Sequence, residues 1–212
     1  MIKSRIRKAA RPAAAVFAAA VASVGIAASF NPSLAALAAS ITNTQNTQST
    51  GVLVMRETNA DGTVTCDSTS GRTDTNAASC STINKYSGYA YDYPGKTNTT
   101  SVNIINLGSV DATSFSLTGG ACTQSVQNST YSGSATDLCS KINVKITSGA
   151  KTIYDGTAAG LATKQIDLIA SVGAVTPNKS VPFTFVVGLD ASADNTYAGL
   201  GVSQPLTWTF GA

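Results

Sequence analysis

Several short stretches of this 212-residue chain alternate apolar and polar residues with a period of two, the pattern of half-buried strands. The clearest is Ile142, Val144 and Ile146, set between Lys141, Asn143, Lys145 and Thr147. Phe115 and Leu117 alternate with serines, and Leu206-Thr207-Trp208-Thr209-Phe210 closes the chain in the same way. Val102 and Ile104, with Leu107, face inward on a strand spanning Ser101 to Leu107. Val52 to Met55, a return strand at Thr63 to Thr65, Lys151 to Tyr154 and Val181 to Val187 complete a count of about eight strands. Asp61-Gly62 and Ser148-Gly149 mark tight turns between strands, and Pro182 sits near a strand start, where a ladder N–H is dispensable. One stretch, 158–172, reads as a short helix. The expected fold is all-β: a jelly-roll-like two-sheet β-sandwich with a short helix and long loops.

The first 29 residues follow another pattern. Lys3, Arg5, Arg7, Lys8 and Arg11 precede an alanine-rich apolar run to Ser29, the composition of a secretory signal peptide. The alternative is a retained anchor, but the run of about 17 residues falls short of the roughly 20 that span a bilayer. Cleavage before Phe30 or before Ala39 is compatible with the small residues at each point. Residues 30–50 then form an N-terminal arm and 51–212 the folded domain, with no stable membrane insertion after cleavage. The whole chain carries 14 Lys and Arg against 11 Asp and Glu, a net charge of +3. Removing the five leader cations reverses the sign, which argues against a nucleic-acid partner.

Cys66, Cys80, Cys122 and Cys139 form an even set on a chain read as exported, which points to disulfides. Three connectivities exist. Cys66–Cys80 and Cys122–Cys139 are favoured, because each pair brackets one polar, loop-like stretch. Zinc ligation is disfavoured, since no CxxC spacing occurs and the chain has no histidine. The same lack removes the commonest general base and excludes Ser-His-Asp and Cys-His arrangements. No catalytic residue, metal ligand or cofactor is therefore assigned. Asp190 and Asp194 are candidate calcium ligands, against the simpler reading of a solvated loop with side-chain-capped turns. Asn98, Asn128 and Asn178 stand in glycosylation sequons. Tyr89, Tyr91 and Tyr93 share one strand face beyond Tyr86, either as a contact patch or as part of a core.

Asn106, Gly108 and Ser109 at a strand end, Asn195, Tyr197 and Gly199 in an N-x-Y-x-G element, and the strand Leu206, Trp208, Phe210 occur in this order. Together with Ala27-Ala28-Ser29-Phe30-Asn31, they resemble the TasA/CalY (camelysin) family of exported bacterial biofilm-matrix and cell-surface proteins. Four cysteines and a low charge depart from the matrix-fibre members. The resemblance implies a jelly-roll domain whose partner is a further copy of itself: the N-terminal segment of one subunit adds as a strand to the next, making a homopolymer. Phe30, Leu34, Leu37 and Ile41 are then the anchors of that donor arm. Other matrix or cell-surface components are further expected partners, and a monomeric adhesin or binding module is the alternative function. The metalloprotease activity described for camelysin is not carried over, because a histidine-ligated site cannot be built here.

Overall fold

A computed structural model describes residues 47–70, 76–88 and 93–212. Thr50–Ala212 forms one compact unit, and residues 47–49, the described part of a separate unit, are exposed. The leader, the arm anchors Phe30, Leu34, Leu37 and Ile41, and Tyr89 and Tyr91 lie outside the described residues.

Among the described residues eleven strands appear: β1 Met55–Asn59, β2 Thr65–Asp67, β3 Thr97–Asn106, β4 Ser114–Gly119, β5 Thr123–Val126, β6 Ile142–Ser148, β7 Lys151–Thr157, β8 Gln165–Asp167, β9 Ser180–Leu189, β10 Leu200–Ser203 and β11 Leu206–Gly211. All strand pairs are antiparallel. A six-stranded sheet runs in the order β2-β1-β3-β9-β6-β7, a three-stranded sheet in the order β11-β4-β8, and β10 pairs with β5. The expected all-β sandwich is therefore what forms.

Its core lies between the two larger sheets. Val102 and Ile104 on β3, Phe183 and Phe185 on β9, and Val144 and Ile146 on β6 are buried against Phe115 and Leu117 on β4. Aromatic rings bridge the layers. Phe183 lies 4.7 Å from Trp208 and 5.8 Å from Phe115, and within the smaller sheet Phe115 lies 4.7 Å from Phe210 between ring centres. Offset and edge-on rings at such distances add to the gain from burial alone.

The structure changes several expectations. Leu107 is exposed, and the inward face of β3 continues instead to Asn106, as strict alternation requires. Val52 to Val54 precede β1 and are held to the 107–109 turn rather than inside a named strand. The single helix at 158–172 is replaced by two one-turn helices, α2 Ala158–Leu161 and α3 Ile169–Val172, with β8 between them; a further turn, α1, spans Leu138–Lys141. Thr163 at φ 65° breaks that stretch, and Gly173 at φ 70° ends it, both outside the right-handed helical region. At Pro182 the expectation holds. The β6–β9 ladder ends at Thr147–Thr184, so Pro182 lies beyond it.

Both favoured disulfides are present. Cys66 joins Cys80 and Cys122 joins Cys139, with Cα–Cα distances of 6.2 and 6.0 Å, inside the usual range.

Candidate functional site

β11 is built from the cleanest alternation near the C-terminus, and the alternation is realised: Leu206, Trp208 and Phe210 turn inward while Thr207 and Thr209 are exposed. β4 pairs with it along Leu206–Gly119 to Gly211–Ser114. Gly120 N donates to Pro205 O at 2.8 Å, which sets the phase of the ladder. Successive residues of a strand direct their amides to opposite sides. The backbone groups of Thr207 and Thr209 thus meet β4, and those of Leu206, Trp208 and Phe210 point to the other edge. Among the described residues no strand occupies that edge.

Across the sandwich from this edge stands β1, whose Met55 and Glu57 face the same interior. Trp208 Nε1 donates to Glu57 Oε1 at 3.3 Å, and Lys85 Nζ lies 2.7 Å from the same oxygen. Both charged side chains retain only 12% of their exposure. A carboxylate so far from water is tolerable because it is paired and hydrogen-bonded. Lys85 belongs to a stretch that crosses the gap without joining any sheet. Its neighbour Tyr86 donates from its hydroxyl to Gln204 Oε1, and Gln204 Nε2 donates to Gly120 O at 2.8 Å and Ala158 O at 3.0 Å. Burial, aided by nearby Tyr154, pushes the Tyr86 phenol above its ordinary pKa. Ile83 and Tyr86 pack on the core from this side.

The result is a cleft of about 1720 Å³ lined by Leu53, Met55, Ile83, Tyr86, Trp208 and Phe210, continuing to Tyr93, Tyr131 and Tyr197. These apolar side chains, interrupted by the Glu57–Lys85 pair, lie beside the strand edge, an arrangement suited to an added extended segment: edge amides supply hydrogen bonds and the apolar positions accept alternate side chains.

Of the other residues singled out in the sequence, Asp194, Asn195, Tyr197 and Gly199 line this cleft, whereas Asn106, Gly108, Ser109 and Asp190 do not. Asn106 is fully buried. Its Nδ2 donates to Val110 O and Val175 O, each at 2.8 Å, and its Oδ1 accepts from Gly108 N at 2.8 Å. The turn it organises grips the start of the domain. Leu107 N donates to Val54 O and Ser109 N to Val52 O, both at 2.8 Å, while Val52 N donates to Ser109 Oγ at 3.0 Å. A Cβ on Gly108 would stand 2.3 Å from Val52 O, so only glycine permits this approach.

Tyr197 donates from its hydroxyl to Asp137 Oδ1 at 2.8 Å. Gly199 adopts φ 65°, with Tyr131 O only 2.6 Å from where a Cβ would be. Its carbonyl accepts from Gln127 N and Asn128 N. Asn195 opens the one-turn 3-10 helix that Asp194 caps. Both motifs thus act as structural clasps, and Leu206, Trp208 and Phe210 alone of the motif residues form the open edge.

Asp190 and Asp194 do not converge on a cation. Asp190 Oδ1 accepts from the Ser192 hydroxyl and backbone N–H, which with Asn143 hold its carboxyl down to about 2. Asp194 is likewise lowered by the hydroxyl and N–H of Thr196. Among the described residues no group of three or more Cys, Asp or Glu is placed to hold a metal. Tyr93 is 65% exposed and carries the Lys96 ammonium 5.8 Å from its ring centre.

Glu57, Lys85 and Gln204 were not singled out from the sequence. Glu57 reads as the polar end of a strand, and only its period-two relation to Met55 hinted that it turns inward. Comparison with known protein families and with curated proteins finds no match for the chain.

Proposed function

We propose that this protein is an exported structural subunit of an extracellular fibre, joined head to tail when residues 30–50 of one copy add as a strand to the free edge of β11 in the next. The backbone edge of Leu206, Trp208 and Phe210, which no strand among the described residues pairs, beside a cleft that exposes Tyr86, Trp208 and Phe210, is the observation that carries this reading. Export is supported by the signal-like leader and by the two disulfides, and no helix among the described residues is long and apolar enough to cross a membrane. The TasA/CalY resemblance points the same way.

The arm has the chemistry of a donor strand. In an extended segment, Phe30 and Leu34 share one face, and Leu37 and Ile41 share the other. A single register therefore turns one pair to the groove, and each buried side chain contributes roughly 1.5–3 kcal/mol. Addition of this kind does not close on itself, so it yields filaments.

Deleting residues 30–50 tests the mechanism. The truncated chain is expected to remain a folded monomer by circular dichroism and sedimentation and to form no filaments under the microscope. Filaments at the full-length rate from the truncated chain would overturn the donor-arm mechanism. Absence of filaments from the full-length protein, with glycan binding by the monomer, would favour the adhesin reading instead.

A further inference from the structure

The two ends of the sandwich are chemically distinct. β3 runs from Thr97 to Asn106 and β9 from Ser180 to Leu189 in the opposite sense. One end therefore gathers the 107–113 turn and the start of the domain, clasped at Val52 and Val54. The opposite end gathers residues 93–96, 126–141 and 190–199. Gly95 N donates there to Leu189 O at 2.9 Å, Asp190 N to Lys141 O at 2.8 Å and Gly133 N to Ala198 O at 2.7 Å.

Large exposed apolar side chains among the described residues are Val52 (56%), Leu107 (36%), Tyr93 (65%), Val126 (56%) and Tyr131 (74%). The first two stand at the end where the chain joins the domain. The other three stand at the opposite end. Among the described residues none stands on a strand of the two large sheets. Exposed apolar residues scattered singly need no explanation, but their restriction to opposite ends does.

We infer that these ends are the two halves of one subunit interface, the Val52/Leu107 end of one copy seating on the Tyr93/Val126/Tyr131 end of the next. The inference rests on the fibre reading and adds its polarity. Whatever precedes Gly51 joins the domain at the Val52 end, so a copy seated in this way projects its arm into its neighbour from the tyrosine end. β11 runs from Leu206 toward Gly211, whose partner Ser114 lies at the Val52 end. The arriving arm runs the other way and pairs antiparallel with β11. An arm folded over its own β11 must instead run parallel to it, because its last residues reach the Val52 end. Reach is sufficient. The ten residues of β3 span roughly 33 Å, whereas residues 30–50 extend to roughly 70 Å and residues 39–50 to roughly 40 Å.

Val52→Lys and Val126→Lys, each made in the full-length chain and neither lining the cleft, test the interface. Both side chains are exposed, so the thermal midpoint is expected to stay at the wild-type value. Sedimentable fibre is expected to fall tenfold or more in each variant. The double variant Val52→Lys/Val126→Glu is expected to recover it, since every junction then brings a cation to an anion. A synthetic peptide of residues 30–50, added to each full-length variant, is expected to protect the Leu206, Trp208 and Phe210 amides from hydrogen exchange as it does in wild type. Wild-type fibre yield from both single variants overturns the end-to-end interface while leaving the strand-addition reading standing. Failure of the peptide to protect β11 in wild type overturns the strand-addition reading and the interface with it.

Discussion

Asn106 has no exposed surface, yet each of its side-chain polar atoms is engaged within the protein. Leaving such partners unsatisfied in a buried site costs about 1–3 kcal/mol apiece. Asn106→Ala is expected to lose roughly 3 kcal/mol or more of stability, measurable as a lower urea midpoint with an unchanged slope. Tyr86 gives a second expectation at this scale. Its folded pKa is raised, so the stability it contributes is complete below the ordinary phenol value of about 10 and is lost as pH rises beyond it. Tyr154 is raised in the same sense. Alkaline titration should therefore lower the thermal midpoint above about pH 10, and less so in Tyr86→Phe. The residue pattern alone marked Asn106 and Gly108 as a turn. That the asparagine is buried depends on Val110 and Val175, which are brought to it by the fold and leave no local trace.

Among the elements, β11 combines packing and exposure most sharply. Trp208 touches Phe115 on the adjacent β4 and Phe183 and Phe185 on β9 across the core, while among the described residues no strand pairs with its outer backbone edge. Trp208→Ala is expected to cost about 3–5 kcal/mol, read by equilibrium unfolding. The Cys122–Cys139 bridge closes a 17-residue separation, and replacing both cysteines with serine should cost about 3 kcal/mol in the chain-entropy account. Strands with strict alternation, such as β4, β6 and β11, were legible because one face is apolar and the other polar. β5, β8 and β10 were not. They have three or four residues each, mostly polar or glycine-bearing, and are specified by the partners Leu200–Val126 and Leu117–Ile166 rather than by their own pattern. The same holds for the first half of β3, a Thr/Asn run that the long β9 templates. The open edge itself was legible as a strand, but its being an edge is a property of sheet order.

For the molecule as a whole, the missing histidines simplify the response to pH. Only the cysteines have an ordinary side-chain pKa between those of the carboxylates and the tyrosines, and all four are bonded in disulfides. Asp61, Asp67, Asp190 and Asp194 are all held below the usual carboxylate value of 3.8, Asp67 chiefly by the paired Arg56 and the others by hydroxyl and amide donors. A lowered folded pKa contributes stability that is present above the unfolded value and lost as pH falls through the folded one. The thermal midpoint is therefore expected to stay level from about pH 9 to 5 and to fall from about pH 4 toward 2. A transition centred near pH 6 would contradict this. Two sheets, a shared core and two staples could be read from the chain, whereas the contrast between its ends emerged only once Val52 and Leu107 were brought together.

The clasp at Val52 to Val54 also decides how a pull on the N-terminal segment is borne. Force applied before Gly51 is directed along the axis of β1, which is bonded to β2 on one side and to β3 on the other. Hydrogen bonds of antiparallel ladders lie across the strand direction, so traction loads them together in shear instead of peeling them one at a time. The Asn106 turn is loaded first, through Ser109 and Leu107, and shares the strain with both ladders. A load on that segment is therefore expected to be shared between the clasp and both ladders. Gly108, whose close approach to Val52 lets the clasp form, is the position where a side chain should weaken it, read as a lower unfolding force in single-molecule pulling.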